Sequence, residues 1–383
     1  MLRSILIIVL CLLISEITIG QTEFNFTGYV VDLPALQISN KDLNNILGGE
    51  RKQFINLTRV RLRPNLNLWE GGTFTVEYEL TKLYHSTSLL FNPVSSTSTR
   101  QIVNLNWNIV NRSNLTMNHF IDRLYFRQNF DFGQLSVGRQ RIAWGTGRVW
   151  NPTDLFNPIH PSNFSKIEKD GSDAASLKII FGSFTDLNLV YNIQKGESRN
   201  NVGLRFRTNY SEYDLSIMSG YFDDRVVMGG DFAGNLFDAG IRGEGIISFD
   251  KNKSQSNFSK YILGIDYQFT AKLYGLVEYH YNGEGATQKS RYEFHRLLKG
   301  EIINVARRYF AVQSSYLIHP LVTSVVAVNS NLDDGSGFIS ALLSYSFADD
   351  LVFGAGGQIF YGNKYDEYWF FPKAFYLRGE YYF

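Results

Sequence analysis

Arginine recurs at every second position over Arg59, Arg61 and Arg63, and the pattern returns at Arg123 and Arg127, at Arg139 and Arg141, and at Arg205 and Arg207. In an extended chain, residues two apart point the same way. Such rows make a fixed cationic wall, suited to attracting and orienting anionic or dipolar solutes rather than to making bonds. Acids that could oppose the wall lie apart, at Asp154, Glu168 and Asp170. A unit pair about 8 Å apart across water is worth only on the order of 0.5 kcal/mol, so several pairs would have to act together. The alternative is that arginines and acids pair off locally and stiffen the fold.

Groups that make or break bonds are scattered instead. The six histidines, His85, His119, His160, His280, His295 and His319, fall mostly in loops or at strand ends. The acid pairs Asp223-Asp224, Asp333-Asp334 and Asp349-Asp350 sit at turns, where Asp bonds its own backbone. No metal-ligand spacing and no phosphate-cradling glycine loop is present, so neither a metal nor another cofactor is expected.

The elements that carry the arginines alternate with period two. Tyr261, Leu263, Ile265, Tyr267 and Phe269 share one face, opposed by Gly264, Asp266 and Gln268. Val202, Leu204, Phe206 and Tyr210 oppose Gly203, Arg205, Arg207 and Asn209, and Val60, Leu62, Leu66 and Leu68 oppose the first arginine row. One greasy and one wet face describe a sheet between lipid and water, and each arginine turned to lipid near the midplane would cost about 2–4 kcal/mol. The arginines must face the water. After residue 20 there is no apolar run of about 18 residues, the length a membrane helix needs. A membrane-spanning chain of this kind must close into a barrel. The 33 glycines, 23 tyrosines and 30 phenylalanines agree, and a net charge of +1 argues against a nucleic-acid binder, which carries a concentrated basic excess.

Eighteen antiparallel strands fit, from 53–69 and 73–84 through 99–110, 117–131 and 133–143 to 351–361 and 373–383. Their connections alternate between short and long, as membrane barrels require. Two places break the alternation: Glu70 to Gly72 is short for its side and 85–98 is long for its side. Sixteen strands stay open because 213–233 is rich in glycine. Trp69, Trp107 and Trp369, with Tyr84, Phe181, Tyr361 and Tyr381, suit aromatic girdles at the bilayer surfaces.

Residues 1–20 read as a secretory signal: Arg3, the apolar run Ile5 to Ile14, then small residues before a cut. Cys11 lies inside that run, so the mature chain has no thiol and no disulfide. Residues 21–52, with Phe24, Phe26, Val30 and Leu33, form either an additional strand or a short plug. Residues 53–383 form the barrel.

Residues 131–161, DFGQLSVGRQRIAWGTGRVWNPTDLFNPIHP, run from a tight turn into a strand and then lose all periodicity. A loop this long is functional or disordered. Its apolar content, Trp144, Val149, Trp150, Leu155, Phe156 and Ile159, requires a surface to fold against. Turn, strand and inward loop resemble the bacterial porins, and the Trp-Gly and Asn-Pro-x-Asp-x-Phe-Asn-Pro wording also resembles a set of porin-like outer-membrane proteins. The terminal Phe383, with Tyr381 two places before it, resembles the signal by which outer-membrane barrels are recognised for assembly. The resemblance implies a diffusion channel in the outer membrane of a diderm bacterium, with a constriction built by Trp144, Arg148, Trp150, Asn151, Asp154, Phe156, Asn157, Glu168 and Asp170. It implies as partners outer-membrane lipid and lipopolysaccharide, the barrel assembly machinery and small hydrophilic solutes, anionic or zwitterionic if the arginine wall decides. Self-association is left open. Because Gly138 could bulge its strand, the facing of Arg139 and Arg141 is also open: strict alternation sets Arg139 in phase with Leu135 and Val137. Rival readings are a surface-interaction barrel displaying 283–304, where Phe294, Leu297 and Leu298 have helical spacing, and, less favoured, a barrel enzyme.

Overall fold

A computed structural model describes residues 22–47, 50–86, 100–156, 168–194, 200–250, 256–298 and 302–383. Its strands are β1 (Glu23–Ile38), β2 (Lys52–Trp69), β3 (Gly72–His85), β4 (Asn106–Arg112), β5 (Leu115–Phe130), β6 (Gly133–Gln140), β7 (Ser172–Ile180), β8 (Asp186–Asn192), β9 (Asn201–Tyr210), β10 (Tyr213–Phe222), β11 (Arg225–Leu236), β12 (Ala239–Asp250), β13 (Phe258–Gln268), β14 (Leu273–Asn282), β15 (Arg308–His319), β16 (Val322–Asn331), β17 (Gly337–Ala348), β18 (Leu351–Tyr361) and β19 (Lys373–Tyr382). Two short helices, α1 (Lys41–Leu47) and α2 (Phe294–Leu298), lie in the connections.

Every strand but β4 has a neighbour on both edges, and β1 pairs with β2 on one side and β19 on the other. The result is a closed antiparallel barrel of eighteen strands. Closure leaves no open edge, so the backbone is satisfied within the wall. The outward face is apolar: Ile217 is 68 % exposed, Leu377 62 % and Leu263 55 %. The inward face carries the arginines, most of them buried or half-buried among other side chains. Asp32 interrupts the outward face, where it accepts hydrogen bonds from Asn56 Nδ2 (3.1 Å) and the Thr58 hydroxyl (2.7 Å).

Turns at the end that holds the C-terminus are short, among them 70–71, 131–132, 211–212 and 349–350. Connections at the opposite end include 86–105, 141–171, 283–307 and 362–372. The two-residue Asp223-Asp224 turn at that end is an exception, with φ of 49° and 63°. Both residues are left-handed, as the hairpin turn matching strand twist demands.

The two expected irregularities have one cause. Residues 99–110 do not span the wall: the strand there is the seven-residue β4, which pairs only along part of β5. Residues 23–38 take a wall position as β1. With one strand removed and one added, the turn after Trp69 falls on the short side and 86–105 on the long side. Smaller corrections follow from the ladders. β6 stops at Gln140 rather than at 143, and β5 begins at Leu115 rather than at 117. Trp369 is 6 % exposed and packs in the 362–372 connection, so it is not a girdle residue, whereas Trp107 is 45 % exposed.

Candidate functional site

β6 ends where the inward loop begins, and the chain rejoins the wall at β7. The loop carries Ile142 and Trp144 before its tip, and Phe156 after it, into a dry cluster with Val190, Met218, Phe222, Val227 and Ile246. Trp144 stands edge-on to Phe156 (5.1 Å between centroids) and donates Nε1–H to Asn188 at 3.2 Å. Gly145 turns the chain at φ +94°, against the Glu244 carboxylate and Thr153, where a side chain has no room.

The tip is held by its backbone. Glu244, on β12, accepts the amides of Thr146 and Gly147 on Oε2 and that of Thr153 on Oε1 (3.2 Å). Glu278, on β14, accepts Arg148 N (2.9 Å) on Oε2, and Val149 N (3.1 Å) and Trp150 N (2.8 Å) on Oε1. Six amides that would otherwise be withdrawn from water without partners are satisfied by two carboxylates. Trp150, 1 % exposed, stacks on His280 at 5.3 Å and packs against Tyr309. In a ring of eighteen strands β14 lies eight places beyond β6. The loop therefore crosses the lumen as a strap.

The return leg is tied to the first arginine row. Glu168 pairs with Arg63 and reaches Arg61 at 3.4 Å; Lys169 O accepts Arg123 Nη2 at 2.6 Å; and Gly171 N donates to Asp122 Oδ1 at 2.9 Å. Arg61, 2 % exposed, also binds Glu77 (2.6 Å), Glu79 (2.8 Å) and Asp122. Arg59 pairs with Glu79 at 2.8 Å. Asp122 and Arg123 both point inward because β5 bulges opposite Glu77 and Tyr78. Arg59, Arg61, Arg63 and Arg123 are thus matched by Glu77, Glu79, Asp122 and Glu168.

The other expected site residues are placed as follows. Arg205 pairs with Asp231 (3.1 Å) and Arg207 with Asp186 (2.7 Å), each on a nearby strand. Arg127 lies over the Tyr125 ring at 5.2 Å. Arg139 does not line the lumen: 3 % exposed, it grips Asp173 with two bonds and donates to the carbonyls of Ile121 (3.1 Å) and Val103. β5 has lost its β6 partner at that point, and the guanidinium supplies the missing donors. No register shift occurs at Gly138, which takes φ +123° with the ladder intact. Arg141 and Arg148 are exposed. Asn151 donates to Gly147 O at 2.8 Å, Asp154 pairs with Lys169 at 2.6 Å, and Asp170 is half-buried. Asn157 lies outside the described residues. The loop acids do not face the arginines across open water: Glu168 touches them directly and Asp154 is engaged within the strap.

In some pairs the cation is the more exposed partner, and in others, such as Arg61–Glu168 and Arg242–Asp266, the acid is. Arg207 is 44 % exposed against 11 % for Asp186, and Arg63 33 % against 18 % for Glu77. Glu244, Glu278 and Asp122 were not singled out in the sequence. No sequence signal marks Glu244 and Glu278, because a carboxylate that accepts from backbone amides needs no complementary side chain. At the C-terminus, Phe383 exchanges backbone hydrogen bonds with Gly28 (2.8 and 3.1 Å), and its ring meets Phe26 and Tyr381 on the outward face.

No protein-family model and no curated protein matches the chain. Solved structures do. Pseudomonas aeruginosa OccD3 (OpdP) covers 94 % of this chain and 91 % of its own at 7 % identity, with a TM-score of 0.56. Acinetobacter baumannii OccAB4 covers 96 % and 100 % at 10 % identity and 0.55. An engineered variant of the Rh. blastica porin covers 94 % and 100 % at 11 % identity and 0.50. Identities this low speak to fold alone. By that fold, and by its closed ring of strands, the chain is a porin-like β-barrel.

Proposed function

We propose that the protein is an outer-membrane diffusion channel for small solutes, with the long connections facing outward and 141–171 as its constriction. The strap anchored on both sides of the lumen carries this reading. Its apolar leg is sealed against β7–β12, so water and solute are confined to the other side. A crossing segment narrows passage by size without a binding step.

The solute preference we infer is for anions and zwitterions, and it is mild. Local pairing neutralises most of the arginines, but Arg63, Arg205 and Arg207 are more exposed than Glu77, Asp231 and Asp186 beside them, and Arg141 and Arg148 are exposed as well. Low-dielectric walls focus such a field. The signal segment 1–20, recognition of Tyr381 and Phe383 by the assembly machinery, and contact with lipopolysaccharide belong to the same proposal. The surface-interaction reading loses its main support, because Phe294 and Leu297 pack inward against a buried cluster.

Planar-bilayer recording of the refolded mature chain in a KCl gradient tests this. Discrete steps with a modest reversal potential toward chloride are expected. Absence of current would reject the channel, and cation preference would reject the role given to the arginines.

A further inference from the structure

Over β13–β17, the long-connection end of the barrel is filled by two of its loops. Residues 283–307 contribute Tyr292, Ile302, Val305 and Ala306, and 362–372 contribute Tyr368, to one buried cluster with Trp150 of the strap and Tyr309 and Phe338 of the wall. Phe371 stacks on Phe360 at 5.2 Å, and Phe370 meets Phe294 at 5.0 Å. At the centre lies Glu367, with no exposed surface. Its Oε2 accepts the Tyr309 hydroxyl and Asn331 Nδ2, both at 2.8 Å. Tyr309 is also the residue on which the strap's Trp150 packs, so strap, wall and both loops meet here.

Among the described residues, no cation pairs with Glu367. The groups around it are neutral or acidic. Tyr309 comes from β15, and His280 of β14 stacks on that ring at 6.0 Å. Asn331 ends β16 and also bonds the Tyr292 hydroxyl at 3.1 Å. Asp334 accepts Glu367's own amide at 2.9 Å, and Asp333 is tied to Arg308 at 2.7 Å. Asp366 is paired with Lys289 at 3.0 Å, and Tyr368 is buried beside it. The Tyr309, Asn331 and Val305 donors favour the ionised form, but complete burial without a cation, beside Asp334, outweighs them and favours the neutral acid.

We propose that residues 362–372 are a lid over the outer mouth, latched by the uncharged Glu367 carboxyl, and that ionising this carboxyl releases the lid. The role as a gate rests on the channel reading above. Burial, reinforced by Asp334, pushes the Glu367 carboxyl up to about 8. A group raised in the closed state favours closure fully below its ordinary carboxylate range, and that contribution is lost as pH rises through the raised value. The mouth is therefore held shut in acid and opens in alkali.

Bilayer conductance of the mature chain, titrated from about pH 6 to about pH 9.5, tests the latch together with an infrared titration of the protonated carboxyl band. The wild type is expected to show a severalfold rise in conductance, and a carboxyl band lost with a midpoint near 8. Glu367→Gln, neutral throughout, should lack the band and stay at the low-pH conductance. Tyr309→Phe removes a donor to the ionised form and should move both transitions to higher pH. A flat wild-type profile with current present, a Glu367→Gln profile that rises like the wild type, or a wild type without the titrating band overturns the proposal. No current at any pH in any of the three proteins rejects the channel, and the infrared titration then decides the latch alone.

Discussion

The two ends of the strap are held by opposite chemistry. At the far wall, Glu244 and Glu278 grip backbone amides, and Trp150 is the one large side chain of the tip that packs there, against His280 and Tyr309. At the near wall, Glu168 enters a cluster of four arginines and three further acids, where side-chain identity is everything. Amide-to-carboxylate bonds fix position without using the tip's charged side chain, which leaves Arg148 exposed from a backbone that is anchored. Ion pairs fix position by using those side chains up. The tip thus combines a rigid main chain with free chemistry, and the return leg does not.

The largest effect that would break this contrast is expected at Arg61. Arg61→Ala leaves four acids without their shared cation, a loss of about 3–5 kcal/mol for a buried pair. It should appear as a lower unfolding temperature of the folded barrel on gels; an unchanged temperature would mean that the cluster is a solvated network with little net worth. Arg139→Lys loses the fork that bridges Asp173 and two carbonyls, at about 1–2 kcal/mol. Because Arg139 lies in the wall, conductance should not change, and a change would put it in the lumen after all. The smallest effect belongs to Arg148→Gln. It should shift the reversal potential toward cations while stability stays the same, and a loss of stability instead would show that this side chain, and not only its amide, holds the tip.

This contrast also explains what the sequence disclosed. Alternation at Arg59, Arg61 and Arg63 declares an inward row because a charge on the lipid face is costly. Strand count and loop parity follow from the same periodicity, and most strand ends are marked by turn residues. The pattern misled at 99–110, where alternating Val103, Leu105, Trp107 and Ile109 mimic a spanning strand although β4 covers only part of β5. It was silent at Glu244 and Glu278, since a carboxylate that binds backbone leaves no complementary residue to find. Arg139 was ambiguous for a related reason: its partners include two carbonyls exposed by the end of β6, and an interrupted ladder has no sequence signature.

Single-channel conductance of the double variant Glu244→Ala and Glu278→Ala, compared with the wild type under conditions that hold the lid in one state, tests the central claim most directly. Six amides lose their acceptors, the tip leaves the far wall, and the lumen widens, so conductance should at least double, roughly, while the barrel remains folded. An unchanged or lower conductance in a folded barrel would contradict a strap that limits flow.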